Sequence, residues 1–283
     1  PRAMEHYRQC LALEEEMDDK IGVAASLHAI GMIYHDQGNY AQARDYYMRS
    51  LAIEEKLGYR AVTAATYHQL GNIDVTQGDY ASAQAYYERS LELAKASGDR
   101  LGVSATLHQL GVICYRQGDY FKARHYYDRS LEISQELGDR SGAAATLHQL
   151  GLIHLEQGDY VCARRYFAYG LKIREALGDQ LGIEHSLQEL GSIHLLVGQY
   201  EQARAYYQRS LALAEQLGDK QSIARILNQL GMIAYHEGDY DLAQEQYLRS
   251  LGILGALSDK LGIALTLHQL GMLFHARGNY AEA

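Results

Sequence analysis

The sequence predicts an all-α fold, an α-solenoid of antiparallel helix pairs, on three observations. Its 283 residues are seven periods of 40 with three left over, and at that period the columns align without insertion or deletion. Apolar residues inside each period recur at helical spacing. Gly follows each apolar run and Asp or Asn usually precedes the next, in the order that stops one helix and starts another. The only Pro is at position 1, and the 27 Gly therefore read as structural punctuation.

One column holds Gly31, Gly71, Gly111, Gly151, Gly191, Gly231 and Gly271, and a second holds Ala3, Ala43, Ala83, Ala123, Ala163, Ala203, Ala243 and Ala283. A third runs Leu11, Leu51, Leu91 to Leu251, and a fourth Tyr40, Tyr80, Tyr120 to Tyr280. Within residues 99–138, Asp99 caps a first helix carrying Leu107, Leu110, Gly111 and Cys114, which Gln117-Gly118 ends. Asp119 caps a second helix whose face carries Tyr120, Ala123, Tyr127, Ser130, Leu131 and Ser134, and Gly138 closes it. Helices of roughly 17 residues joined by such short turns pack antiparallel. Gly111 and Ala123 keep the paired helices close, and Tyr127 and Leu131 fill the space towards the next unit. One such unit is too small to bury a sufficient core, so each leans on its neighbours.

The expected organisation is a second helix at 1–18, repeats at 19–58, 59–98, 99–138, 139–178, 179–218 and 219–258, and a partial repeat at 259–283. Neither end carries a polar capping helix. The reading is therefore a piece of a longer array, with end-to-end self-association through its uncapped termini as an expected property.

Composition excludes several functions. No apolar run approaches the 18 residues of a membrane span. A net charge of −9 without a Lys/Arg-rich run argues against nucleic acid or an anionic membrane as partner, and a cytoplasmic location is expected. Cys10, Cys114 and Cys162 read as small apolar residues of a reducing compartment. No two of the 13 His lie three or four apart, as a zinc pair on one helix requires, and the pairs His28/His35 and His268/His275 are seven apart, so no metal and no cofactor are expected. Ser and Asp recur in every unit, whereas a catalytic residue should occur once, and no phosphate-binding loop is present; the chain reads as a non-enzyme. The Arg column (Arg49, Arg89, Arg129, Arg209 and Arg249) is read as inter-repeat ion pairing. Asp74 stands where other repeats carry Tyr34, Cys114, His154, His194, Ala234 or Phe274, and requires either a paired donor or a loosened repeat.

The pattern L-x-x-L-G-x-I-x-x-x-x-G-D-Y-x-x-A-x-x-Y-Y-x-x-S-L resembles the tetratricopeptide repeat over essentially the whole chain. It departs from the common form in its early Leu or Tyr (Leu27, Tyr67, Leu107), in Ser50, Ser90 and Ser130 late in the second helix, and in lacking a closing Pro. The 40-residue period resembles the long-repeat branch of Pins-type scaffolds and of arrays in bacterial signalling ATPases. The resemblance implies a right-handed superhelix whose first helices line a concave groove that binds protein or peptide segments. The positions it assigns to the groove include His28, Met32, His35, His68, Asn72, His108, Val112, Tyr115, Arg116, His148, Leu152 and Leu155. They continue with His185, Gln188, Leu195, Arg225, Asn228, Met232, Tyr235, His268 and Met272.

These positions vary where the packing columns do not, and many are apolar, which favours an interaction surface. With Arg116 and Arg225 as its only guanidinium groups, the groove does not match a carboxylate clamp. An extended or helical segment with apolar anchors is expected, its polar groups met by the His column and by amides, with affinity changing between about pH 5.5 and 7.5. Two roles remain open. One is a scaffold that joins proteins; the other is a sensor arm of a multi-domain signalling protein, switched by groove occupancy.

Overall fold

The computed structural model describes residues 2–278, and among them the chain is helical with no strand. In order, the helices are α1 (Arg2–Glu16), α2 (Lys20–Asp36), α3 (Tyr40–Leu57), α4 (Arg60–Gln77), α5 (Tyr80–Ser97), α6 (Arg100–Arg116) and α7 (Tyr120–Leu137). They continue with α8 (Arg140–Glu156), α9 (Tyr160–Leu177), α10 (Gln180–Leu196), α11 (Tyr200–Leu217), α12 (Lys220–Glu237), α13 (Tyr240–Leu257) and α14 (Lys260–Ala276). The architecture is an α-solenoid of consecutive helix pairs. The opening of a second helix expected from Tyr280 lies outside the described residues. By compactness the chain divides into residues 1–146 and 147–283, a boundary that falls inside α8.

The punctuation acts as its residue types dictate. Asp99, Asp119, Asp159, Asp179, Asp239 and Asp259 each accept a backbone N–H of the following first turn on their carboxylate. Gly58, Gly98, Gly138, Gly178 and Gly218 end second helices with φ between 69° and 75°, the left-handed region that lets the chain turn at once. Ser258 takes the same conformation with φ 57° where its counterparts are Gly.

Inside each pair the glycine column has a sharper reason than close helix approach. A Cβ on Gly111 would stand 2.6 Å from Cε1 of Tyr127, and one on Gly71 would stand 2.5 Å from Cε1 of Tyr87. The glycine is the socket of a fully buried aromatic ring from its own partner helix. Tyr47, Tyr87, Tyr127, Phe167, Tyr207 and Tyr247 fill these sockets, each at most 1% exposed. Ala43, Ala83, Ala123, Ala163, Ala203 and Ala243 are fully buried one turn earlier.

The serine column is equally structural. Ser50, Ser90, Ser130, Ser210 and Ser250 donate to the main-chain carbonyls of Ala24, Ala64, Ser104, Glu184 and Ala224, 26 residues back in each case. A buried hydroxyl so engaged holds the second helix against the first helix of its own pair. Asp74, 1% exposed, is met by the guanidinium of Arg44 from the preceding helix, which also donates to Gln77 at 3.1 Å. A paired donor therefore accounts for Asp74. The Arg column is mixed. Arg209 bridges to Glu175 of the preceding repeat at 2.7 Å, but Arg89 pairs with Glu92 on its own helix and Arg49 lies over the Tyr46 ring.

Candidate functional site

The first-helix positions divide into those spent on holding repeats together and those left at the surface. His28, His68 and His108 belong to the first kind. Their Nδ1 atoms lie 2.9, 3.2 and 3.0 Å from the Oγ1 atoms of Thr66, Thr106 and Thr146, on the first helix of the next repeat. Each ring also packs at 5.1–5.4 Å on the buried tyrosine of its own pair. Asn228 repeats the arrangement in the second unit, donating to Thr266 at 2.8 Å. His148 packs on Phe167 at 5.2 Å. The threonine column escaped sequence reasoning, although its regular offset of 38 residues from the His column was visible there.

Burial drives these imidazoles neutral. Desolvation takes His68, His108 and His148 from 6.5 down to about 4, helped at His108 by His68 and at His148 by Arg174 and His185. The expected change of affinity between pH 5.5 and 7.5 thus has no source in these three rings. The proton linkage moves to stability instead. Above about pH 6.5 the rings are neutral folded or unfolded; as pH falls towards 4 the unfolded chain takes up protons that the folded chain excludes, so stability falls with pH in that window. Full linkage would be about 3 kcal/mol per ring, and partial solvent contact reduces it to about 1–2 kcal/mol. Urea unfolding at pH 7 and pH 5 should show a smaller acid loss when His68, His108 and His148 are replaced by Asn, the residue of position 228. An unchanged loss would contradict the assignment.

Gln188 is also withdrawn from the surface, being 9% exposed with its amide given to the buried Glu184; its place on a binding face is corrected for that reason. Asn72 accepts the Tyr87 hydroxyl at 2.6 Å and donates to Gln69 at 3.0 Å. Leu152 and Leu155 are half-buried against the core around Phe167, and Leu195 against that around Tyr207. Val112 and Tyr115 are half-buried, and His35 lies edge-on to Tyr40 at 5.5 Å. Met32, Arg116, His185, Arg225, His268 and Met272 are exposed.

In the second unit the structure gathers Arg225, Asn228 and Met232 along one trough of about 410 Å³ between α12 and α14. Its floor is the buried Leu254, and its apolar walls are Met232, Leu261 and Leu265, the last two 72% and 58% exposed. Gln221, Gln229 and Gln269 place amide groups along it. Tyr235, His268 and Met272 meet in a neighbouring hollow. The equivalent cleft in the first unit, beside Leu101, Ala105 and His108, holds about 170 Å³. Leu261 was not among the expected site residues. Its signal was a large aliphatic residue at four of the seven positions of the first-turn column, Ile21, Leu101, Leu181 and Leu261, and these four are 52–72% exposed.

Among the described residues, His154, Asp159 and Cys162 place three ligand atoms within 4.8 Å of one another. The expectation of no metal rested on the spacing of His along one helix, and these three straddle a turn between two. No helix of the described residues is long and apolar enough to cross a membrane.

Helix pairs repeated at 40 residues, with ring-and-glycine sockets and first helices facing a trough, define an α-helical repeat protein. The tetratricopeptide repeat family matches at residues 1–56, 22–96, 102–176, 143–216, 179–256 and 222–283, and the chain belongs to that family. No curated protein matches the sequence. Among solved structures it is similar to the signal transduction ATPase with numerous domains carrying a tetratricopeptide repeat sensor from Pyrococcus horikoshii. The TM-score is 0.80 and the identity 16%, over 97% of this chain and 42% of that one. Aspartyl phosphate phosphatase F from Bacillus subtilis gives 0.73 at 13% identity, over 96% and 70%. The pilF protein of Pseudomonas aeruginosa gives 0.63 at 22%, over 87% and 97%. At these identities the likeness is one of fold.

Proposed function

We propose that the chain is a non-enzymatic protein-interaction module that binds a peptide or helical segment of a partner on its first-helix face. The observation that carries this reading is the trough between α12 and α14. Leu261 and Leu265 stand exposed beside Met232 and are flanked by Arg225 and amide side chains. Apolar walls with a few polar groups that can fix a backbone suit an extended or helical segment with aliphatic anchors. Catalytic use of the recurring serines is disfavoured, since the column is buried and engaged with carbonyls. The similarity to a sensor-bearing ATPase supports a second reading of the biological setting, a sensor arm switched by the same binding event. An ATPase domain encoded beside residues 1 or 283 would favour it.

The test is panning of a random peptide library on the chain, followed by calorimetric titration of the selected peptides. Leu261→Glu/Leu265→Glu should lose at least about tenfold in affinity, about 1.4 kcal/mol, because both side chains are surface groups and their replacement spares the core. Phe121→Glu, at a residue 85% exposed on a second helix, should bind as wild type. Equal affinity of the Leu261→Glu/Leu265→Glu variant would remove the trough from the reading.

A further inference from the structure

We propose that the turn between α8 and α9 is a binding site for a zinc-like transition-metal ion, held by His154 Nδ1, Asp159 Oδ2 and Cys162 Sγ. The three side chains come from the last turn of one helix, the cap of the next, and the third residue of its first turn. His154 Nδ1 lies 3.2 Å from Asp159 Oδ2, and Cys162 Sγ falls within the same 4.8 Å group. Tetrahedral bonds of about 2.0–2.3 Å to nitrogen, oxygen and sulfur place donor atoms roughly 3.3–3.7 Å apart. The His154–Asp159 distance is close to that and Cys162 Sγ lies within 4.8 Å of both, and the mix of imidazole, carboxylate and thiol favours zinc or cobalt over magnesium or calcium.

Three features bear on this turn, the first two shared with other repeats and the third setting it apart. First, Asp159 divides its work: Oδ1 accepts the Cys162 N–H at 3.1 Å as helix cap, which leaves Oδ2 facing His154. Second, His154 is fixed in place, 7% exposed and stacked on the Tyr166 ring at 5.2 Å and 21°. Third, in the equivalent turns of two other repeats a protein cation already stands by the acidic groups. Lys122 Nζ is 2.9 Å from Asp119 Oδ2, beside Cys114, and the Arg44 guanidinium meets Asp74. At 154–162 the lysine position is Cys162 and the Asp74 position is His154, while Arg124, the counterpart of Arg44, pairs with Asp128 on its own helix at 3.6 Å.

Binding releases the Cys162 thiol proton to solvent and leaves His154 neutral with its proton on Nε2, while Asp159 binds as carboxylate. Nε2 is buried without a hydrogen-bond partner, which limits affinity. The three side chains leave a fourth position on the solvent side, where Asp159 is 43% exposed, for water or a donor from a partner.

The repeats supply substitutions compatible with folding: His154→Tyr as at Tyr34, Asp159→Asn as at Asn39, and Cys162→Gln as at Gln202. Cobalt(II) titration of the full chain carrying Cys10→Ser should give a thiolate-to-cobalt charge-transfer band saturating at one equivalent and displaced by zinc. Each substitution should weaken binding at least about tenfold while circular dichroism and the unfolding midpoint confirm the fold. No band in the Cys10→Ser chain, or a band of undiminished affinity in its Cys162→Gln variant, would overturn the assignment.

Discussion

Replacing Arg44 by Met is expected to cost about 3–5 kcal/mol of stability, because it strands a carboxylate that packing has taken out of water. Asp74 is 1% exposed, and Arg44 is the cation that reaches it, across the interface between α3 and α4. One carboxylate oxygen, Oδ2, is already buried without a hydrogen bond. Without the guanidinium Oδ1 loses its cation at the hollow that Asp74 lines with Gln77, Asp79 and Ser82, while Oδ2 stays buried, a larger loss than that of an exposed ion pair. The column itself names the compensating change. Cys114 occupies the same site two repeats of sequence away from Tyr34, so Arg44→Met/Asp74→Cys should recover most of the lost stability. Urea denaturation of the single and double variants is the check, and an Arg44→Met chain within about 1 kcal/mol of wild type would show that Asp74 does not depend on this partner.

The second large effect belongs to the ring sockets. Tyr87→Ala should destabilise the chain by about 3–5 kcal/mol, the range for removing a large buried ring that its surroundings cannot collapse to replace. Tyr87 is fully buried, with Gly71 beneath the ring and His68 at 5.3 Å. Tyr87→Phe isolates the hydroxyl, whose hydrogen bond to Asn72 is 2.6 Å long, and should cost only about 1 kcal/mol. Phe167 fills the corresponding socket without a hydroxyl. If Tyr87→Ala and Tyr87→Phe proved equally mild, the glycine column would need another explanation than the ring it seats. Because repeats are coupled chiefly to their neighbours, the loss should open the amides of α4 to α6 before those of α1.

Much of this was open to inspection in the chain. Helix ends follow from Asp99, Gly118 and Gly138, since capping and left-handed turns depend on residues adjacent in sequence. The socket role of Gly71 was only half legible: periodicity showed a small residue, but the ring it meets lies 16 positions on, on another helix. The His column misled for a related reason. A polar residue on a first-helix face looks available for a ligand until the threonine of the next repeat stands 2.9–3.2 Å from it. Leu261 was missed because a first-turn aliphatic beside a cap resembles a packing residue, and its 72% exposure is a tertiary property. The His154, Asp159 and Cys162 group escaped a search along single helices because its members meet only once the turn at Gly158 has folded.

The central functional claim is that packing columns hold the repeats while exposed first-helix residues bind. Amide hydrogen exchange with and without a library-selected peptide tests it most directly. The account predicts added protection confined to α12 and α14, around Arg225 to Met232 and Leu261 to Leu265. Protection on the second helix α13, around the half-exposed Leu248, with α12 and α14 unchanged would contradict it.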